Sequence, residues 1–127
     1  MAGNVPEELR YTKDHEWARA TGNTVRVGIT AHATDQLGDV VFVELPKVGA
    51  LVEAHKQFGV VESTKAVSEL FAPLSGKVVA VNDELVKTPD TLNSDPYGAA
   101  WMIDIELSNS KELAELLTPE QYRELTK

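Results

Sequence analysis

The sequence predicts a mainly β fold, a sandwich or barrel with one short internal helix and a helical tail. Strand-like runs crowd the middle of the chain with turn residues at short spacing, two of these runs alternate in polarity, and the apolar period lengthens to that of a helix near the end. At 127 residues one domain suffices, and folding removes somewhat less than about 70% of the unfolded surface from water. The expectation is a single domain over residues 1–127, with its β core from about 11 to 107 and a helical tail over 110–126.

Thr24 to Thr30 alternates, with Val25, Val27 and Ile29 on one face and Arg26 on the other, which predicts a half-buried strand. Thr21-Gly22-Asn23 supplies the turn before it, and His15 to Ala20 is the expected partner strand. Ala31 to Leu37 reads as a short helix with Thr30 as its N-cap, Ala33 and Leu37 on one side, and Gly38 at its end. Val40 to Leu45 is a β run stopped by Pro46. Phe58 to Glu62 and Val67 to Phe71 read as the two arms of a hairpin, joined by Ser63 and Thr64 as turn residues. After a turn at Ser75-Gly76, Lys77 to Asn82 sets Val79 and Val81 opposite Val78 and Ala80, as expected of a strand covered on both faces. Trp101 to Leu107 points Trp101, Ile103, Ile105 and Leu107 inward and Asp104 and Glu106 outward. In the tail, Ser110 is the expected cap of a helix carrying Leu113, Leu116 and Leu117, and Thr118-Pro119-Glu120-Gln121 has the form of a capping box with Pro at the first helical position.

Lys65 falls at the tip of the predicted hairpin. A primary amine there is open to another protein's active site, where acylation would remove its charge and turn the stem into the root of a longer swinging group. On the lysine alone the commoner reading comes first, a solvated charge that discourages edge pairing.

The chain carries 12 Lys and Arg against 20 Asp and Glu, a formal net charge of −8. That balance opposes attraction to a phosphate backbone, so nucleic acid is not an expected partner; a monomer that docks onto basic protein surfaces fits better. There is no cysteine, which removes disulfides and thiolate metal sites from consideration. The start, Met1 to Arg10, has neither an apolar signal core nor an Arg-rich, acid-poor leader, so a cytoplasmic protein is expected, with the mature form of a mitochondrial one as the alternative. No apolar run reaches the roughly 20 residues that cross a bilayer, and no membrane association is expected.

Seven separated blocks follow one another in a fixed order: His15-Glu16-Trp17, Gly28-Ile29-Thr30, Leu37-Gly38-Asp39, Val43-Glu44-Leu45-Pro46, Glu62-Ser63-Thr64-Lys65-Ala66, Pro73-Leu74-Ser75-Gly76-Lys77-Val78 and Asn93-Ser94-Asp95-Pro96-Tyr97-Gly98. On these blocks the chain resembles the H proteins of the glycine cleavage system, from about Tyr11 to Leu107. The resemblance sharpens the fold to a barrel-sandwich hybrid of the lipoyl and biotinyl carrier type. It implies that Lys65 bears lipoic acid in amide linkage, as N6-lipoyllysine, and that the chain is a carrier and not an enzyme. The implied partners are glycine decarboxylase with pyridoxal phosphate, an aminomethyltransferase using tetrahydrofolate, dihydrolipoyl dehydrogenase, and a lipoate-attaching enzyme. Glu16 matches a position lining the cleft that receives the loaded arm, Glu69 lies near a comparable acidic position, and Glu62 is implied in recognition by the attaching enzyme. Thr64 stands where valine is frequent, and Gln36 where the family places another polar residue.

The alternatives share much of this pattern. A biotin carrier domain also presents a hairpin lysine but flanks it with methionines, where Thr64 and Ala66 stand here. A lipoyl carrier serving lipoate relay or another pathway would share nearly every block. His15, His32 and His55 lack the spacing of a helical ligand pair, so no metal site is expected, and Ser63, Ser68 and Ser75 lack a nucleophile elbow. Trp17 and Trp101 read as packing residues, and Pro96-Tyr97-Gly98 as a turn.

Overall fold

Nine strands, four short α-helices and one 3₁₀ helix form in a computed structural model that describes residues 5–127. The first four residues of the N-terminal reading lie outside the described residues. One antiparallel sheet has six strands in the order β1-β2-β3-β9-β8-β5: β1 is Arg10–Tyr11, β2 Glu16–Thr21, β3 Thr24–Ile29, β5 Leu51–Val52, β8 Gly76–Val81 and β9 Ile103–Leu107. The second has three, in the order β4-β6-β7, with β4 at Val40–Glu44, β6 at Gln57–Ser63 and β7 at Val67–Phe71. The architecture is a sandwich of two antiparallel sheets with short helices at its margins. Its core forms where the alternating apolar residues of the two sheets meet: Val25, Val27 and Ile29 of β3, Ile103 and Ile105 of β9 and Val78 of β8 share one cluster with Val43, Val61 and Leu70 of the smaller sheet.

Most predicted elements form as their residues dictate. β2 and β3 pair through Thr21 and Thr24, and the turn between them uses Gly22 at φ 63°. The helix α1, Ala31–Leu37, is capped by the Thr30 hydroxyl, which accepts from the Ala33 amide. The last helix, α4 at Pro119–Leu125, starts at the reciprocal box of Thr118 and Gln121 with Pro119 in its first turn. Trp17 is fully buried, and its indole lies over the cross-strand partner Gly28, where a Cβ would stand 2.6 Å from the ring. That close approach accounts for a glycine inside a strand.

Three expectations fail. Lys77 to Asn82 is not covered on both faces: the register of β8 against β9 slips between Val78 and Ala80, and the bulge leaves Val79 40% exposed. β9 begins at Ile103, two residues late, because Met102 takes the fully buried position while Trp101 stays half-buried beneath the Arg26 guanidinium, 4.0 Å from its ring centre. Ser110 is not a cap: Asn109 accepts from the Lys111 amide and starts a tight 3₁₀ turn over Ser110–Glu115 instead of an α-helix. Leu113 and Leu116 still pack on the main core, whereas Leu117 joins a second cluster of Val5, Leu9, Tyr11, Trp17 and Tyr122. That cluster fastens the tail to the N-terminal strand: Tyr11 and Tyr122 stack at 4.6 Å, and Tyr11 and Leu117 exchange backbone hydrogen bonds. Two small helices, α2 at Asp83–Lys87 and α3 at Thr91–Ser94, form between β8 and β9, where the sequence pattern predicts no element.

Candidate functional site

Lys65 stands at the tip of the β6–β7 hairpin, where the turn is closed by one side chain. The Ser63 amide donates to the Ala66 carbonyl at 2.8 Å, and the Ser63 hydroxyl accepts from the amides of Lys65 and Ala66 at 3.3 and 3.1 Å. Short polar side chains favour such turns because they satisfy backbone donors locally. Lys65 itself is exposed. Glu62, one rung below the tip, is flanked across the ladder by Phe42 of β4 and Val67 of β7, which are 43% and 68% exposed. The acidic mark expected there therefore sits between two apolar side chains open to solvent.

Glu16 and Glu69 come together at a cavity of about 130 Å³ between α1 and the two sheets. Its wall is apolar at Ile29, Leu37, Val61 and Leu70 and polar at Asp14, His15, Gln36 and Ser68. This volume is well below the several hundred Å³ of a pocket for a drug-sized ligand, so the cavity admits only a small group. Glu69 is exposed at its rim on the edge strand β7. Glu16 is only 2% exposed, in contrast to a solvated strand residue. Its carboxyl accepts from the Thr12 hydroxyl at 2.6 Å and from the Phe71 amide at 3.2 Å. Burial pushes the Glu16 carboxyl up to about 8, against the lowering effect of these two donors. A larger concavity of about 420 Å³, bounded by Phe42, Leu45, Val48 and Val86, contains none of the predicted site residues.

Thr12, Asp14 and His15 escaped the sequence reading as contributors to this site. Nothing in the run before Glu16 marks Thr12 as its donor, because the contact arises from the fold of the loop: the amides of Asp14 and Glu16 both donate to the Thr12 hydroxyl, leaving its proton for the carboxyl. His15 adopts a left-handed φ of 70°, which needs outside support in a non-glycine residue. Its carbonyl accepts from the Thr30 amide at 3.0 Å, and its Nδ1 lies 2.8 Å from the Tyr122 hydroxyl, itself 2.7 Å from the Thr30 hydroxyl. His15 and His32, distant in spacing terms, meet with ring centres 4.7 Å apart and planes tilted by 37°, and no third metal-ligating side chain joins them among the described residues. Burial and the neighbouring His32 hold the His15 imidazole below its ordinary range.

Comparison with known proteins decides the family. Residues 9–127 match the family model described as glycine cleavage H-protein. The chain belongs to that family. H proteins are carriers, not catalysts: they hold a lipoyl group on a lysine and pass intermediates among the components of the glycine cleavage system. The chain is 58% identical to the glycine cleavage system H protein of Myxococcus xanthus, over 98% of this chain and 97% of that one. It is likewise 58% identical to the H protein of Anoxybacillus flavithermus, over 96% of each. Its fold matches the crystal structure of the glycine cleavage system H protein from Mycobacterium marinum with a TM-score of 0.89 at 45% identity, covering 96% of this chain and 98% of that one. The described residues suit the lipoyl group of this H-protein family: an exposed amine on a closed turn and, beside the strand that leaves it, a small cavity with an apolar wall and two carboxyl groups. No helix among them is long and apolar enough to cross a membrane.

Proposed function

We propose that Lys65 carries the lipoyl group as N6-lipoyllysine, and that the chain shuttles the aminomethyl group of glycine among glycine decarboxylase, the aminomethyltransferase and dihydrolipoyl dehydrogenase. The observation that carries this is the Glu16–Glu69 cavity beside β7, the strand that leaves the Lys65 turn. Glu69 follows Lys65 by four residues, roughly 13 Å along extended chain at about 3.3 Å per residue, a span that an acylated lysine covers by swinging back. When attached, the lipoyl group supplies a dithiol that takes up and releases the one-carbon unit.

The chain's own residues do the rest. Lys65 gives the amide nitrogen, after losing its proton in the active site of the attaching enzyme. Glu62, with Phe42 and Val67 beside it, offers that enzyme an acidic and apolar surface one rung from the turn. Glu16 and Glu69 provide negative charge for an ammonium on the loaded arm, and Ile29, Leu37 and Leu70 keep water from it. An ammonium held beside Glu16 would favour the ionised form of its carboxyl. Tethering keeps the intermediate at a high local concentration near each partner. Bacterial relatives favour the cytoplasm as the place of action, and a single carrier domain over residues 1–127 suits this role.

Reconstitution tests the reading. The lipoylated protein, mixed with the three partner enzymes, glycine, tetrahydrofolate and NAD, is expected to support glycine-dependent NADH formation. Lys65→Arg retains the charge but has no acylatable amine, so it is expected to fold as the wild type and to support none. Activity of the arginine variant equal to wild type would remove Lys65 from the mechanism.

A further inference from the structure

Lys65 does not stand clear of the fold. The amide of Thr64, its neighbour in the turn, donates to the Asp39 carbonyl at 3.0 Å. The lysine stem lies across Gly38: Cε is 3.4 Å and Cδ 3.9 Å from the point where a Cβ on that glycine would stand. Gly38 ends α1 at φ 79° and ψ −149°, a region essentially closed to other residues. The strand that leaves this loop is held from a third element. Asn93 in α3 donates from Nδ2 to the Gly38 carbonyl at 2.8 Å and accepts the Val40 amide on Oδ1 at 2.9 Å, so one side chain brackets the three residues beneath the hairpin tip.

We infer that Gly38 and Asp39, bracketed by Asn93, form a seat that fixes the hairpin tip and presents Lys65 to the lipoate-attaching enzyme, with Asn93 as a positioning residue. This rests on the reading of Lys65 as the attachment point. A tip already fixed gives up less freedom on docking, so the seat acts on binding of the carrier and not on the acyl transfer itself. Loosening it raises KM for the carrier and leaves kcat unchanged. A residue that merely completes two backbone hydrogen bonds would alter stability and neither kinetic constant.

The full chain is compared as wild type, Asn93→Ala and Lys65→Arg. Three readouts are taken: steady-state lipoylation by the attaching enzyme, acetylation at Lys65 by an N-hydroxysuccinimide ester, and hydrogen exchange of the Thr64 amide. In Asn93→Ala, KM is expected to rise on the order of tenfold with kcat held, Thr64 exchange to quicken, and the small ester, which needs only an exposed amine, to react as with wild type. A wild-type KM in Asn93→Ala overturns the seat, and so does a matching loss of reactivity towards the small ester, which would place the effect in the amine itself. If Asn93→Ala does not fold, the wild-type Thr64 amide decides: slowed exchange supports the seat, and exchange at the free-chain rate overturns it. If wild-type Lys65 is never lipoylated while the Thr64 amide is slowed, the carrier reading fails and the seat stands as a feature of the hairpin.

Discussion

Glu16 is the residue whose chemistry departs most from its sequence appearance. Its polar neighbours His15 and Asp14 suggest a solvated strand end, yet the chain buries it and holds both oxygens with donors from Thr12 and Phe71. Because burial raises its carboxyl from 4.5 to about 8, the folded chain keeps a proton between those values that the unfolded chain has lost. The folded state then binds more protons than the unfolded state, so stability falls as pH rises through this window and levels off above it. Urea unfolding from pH 5 to 8 is expected to show a decline on the order of 1 kcal/mol per unit from this group. Glu16→Gln, which keeps the shape without the titration, is expected to flatten that decline; an identical slope in both proteins would contradict a buried, protonated Glu16. Lys65 was legible because turn residues and strand runs bracket it in sequence. Thr12 was not, because its bond to Glu16 exists only once the loop from 12 to 16 closes on itself.

Among the elements, local grammar wrote what local interactions decide. Thr30 and the box of Thr118 with Gln121 cap their helices as their spacing predicts, because a cap depends on three or four consecutive residues. The errors fall where distant packing chooses. Val79 is turned out by a bulge set by the register with β9, Trp101 is held half-buried by a guanidinium from β3, and Asn109 outcompetes Ser110 as the cap of a turn too short to be α-helical. Gly28 shows a constraint that sequence alone did not reveal, since the Trp17 indole occupies the space where its Cβ would be. Gly28→Ala is expected to cost about 1–3 kcal/mol by pushing the indole off its bond to the Pro96 carbonyl, now 2.9 Å. Equilibrium unfolding and near-UV circular dichroism of the tryptophans check both consequences, and unchanged stability with an unchanged spectrum would contradict this packing.

For the whole molecule, twenty acidic against twelve basic side chains give a formal charge of −8. A carrier that visits several enzymes gains from fast encounter more than from tight binding, and long-range charge acts on encounter. Association with the partner enzymes is expected to slow on the order of tenfold between about 50 and 500 mM salt, with dissociation little changed. Stopped-flow binding checks this, and a salt-independent association rate would contradict electrostatic steering. The sandwich class was legible from alternation in β3 and β9, whereas the division into sheets of six and three strands depends on pairings between residues as distant as Val25 and Ile105. The account as a whole rests on one acylated side chain. Incubation with a lipoate-attaching enzyme, ATP and lipoate, followed by intact mass and peptide mapping, tests it most directly. A single lipoyl group on the peptide containing Lys65 is the predicted result; a bare Lys65 in protein that still sustains glycine cleavage would contradict it.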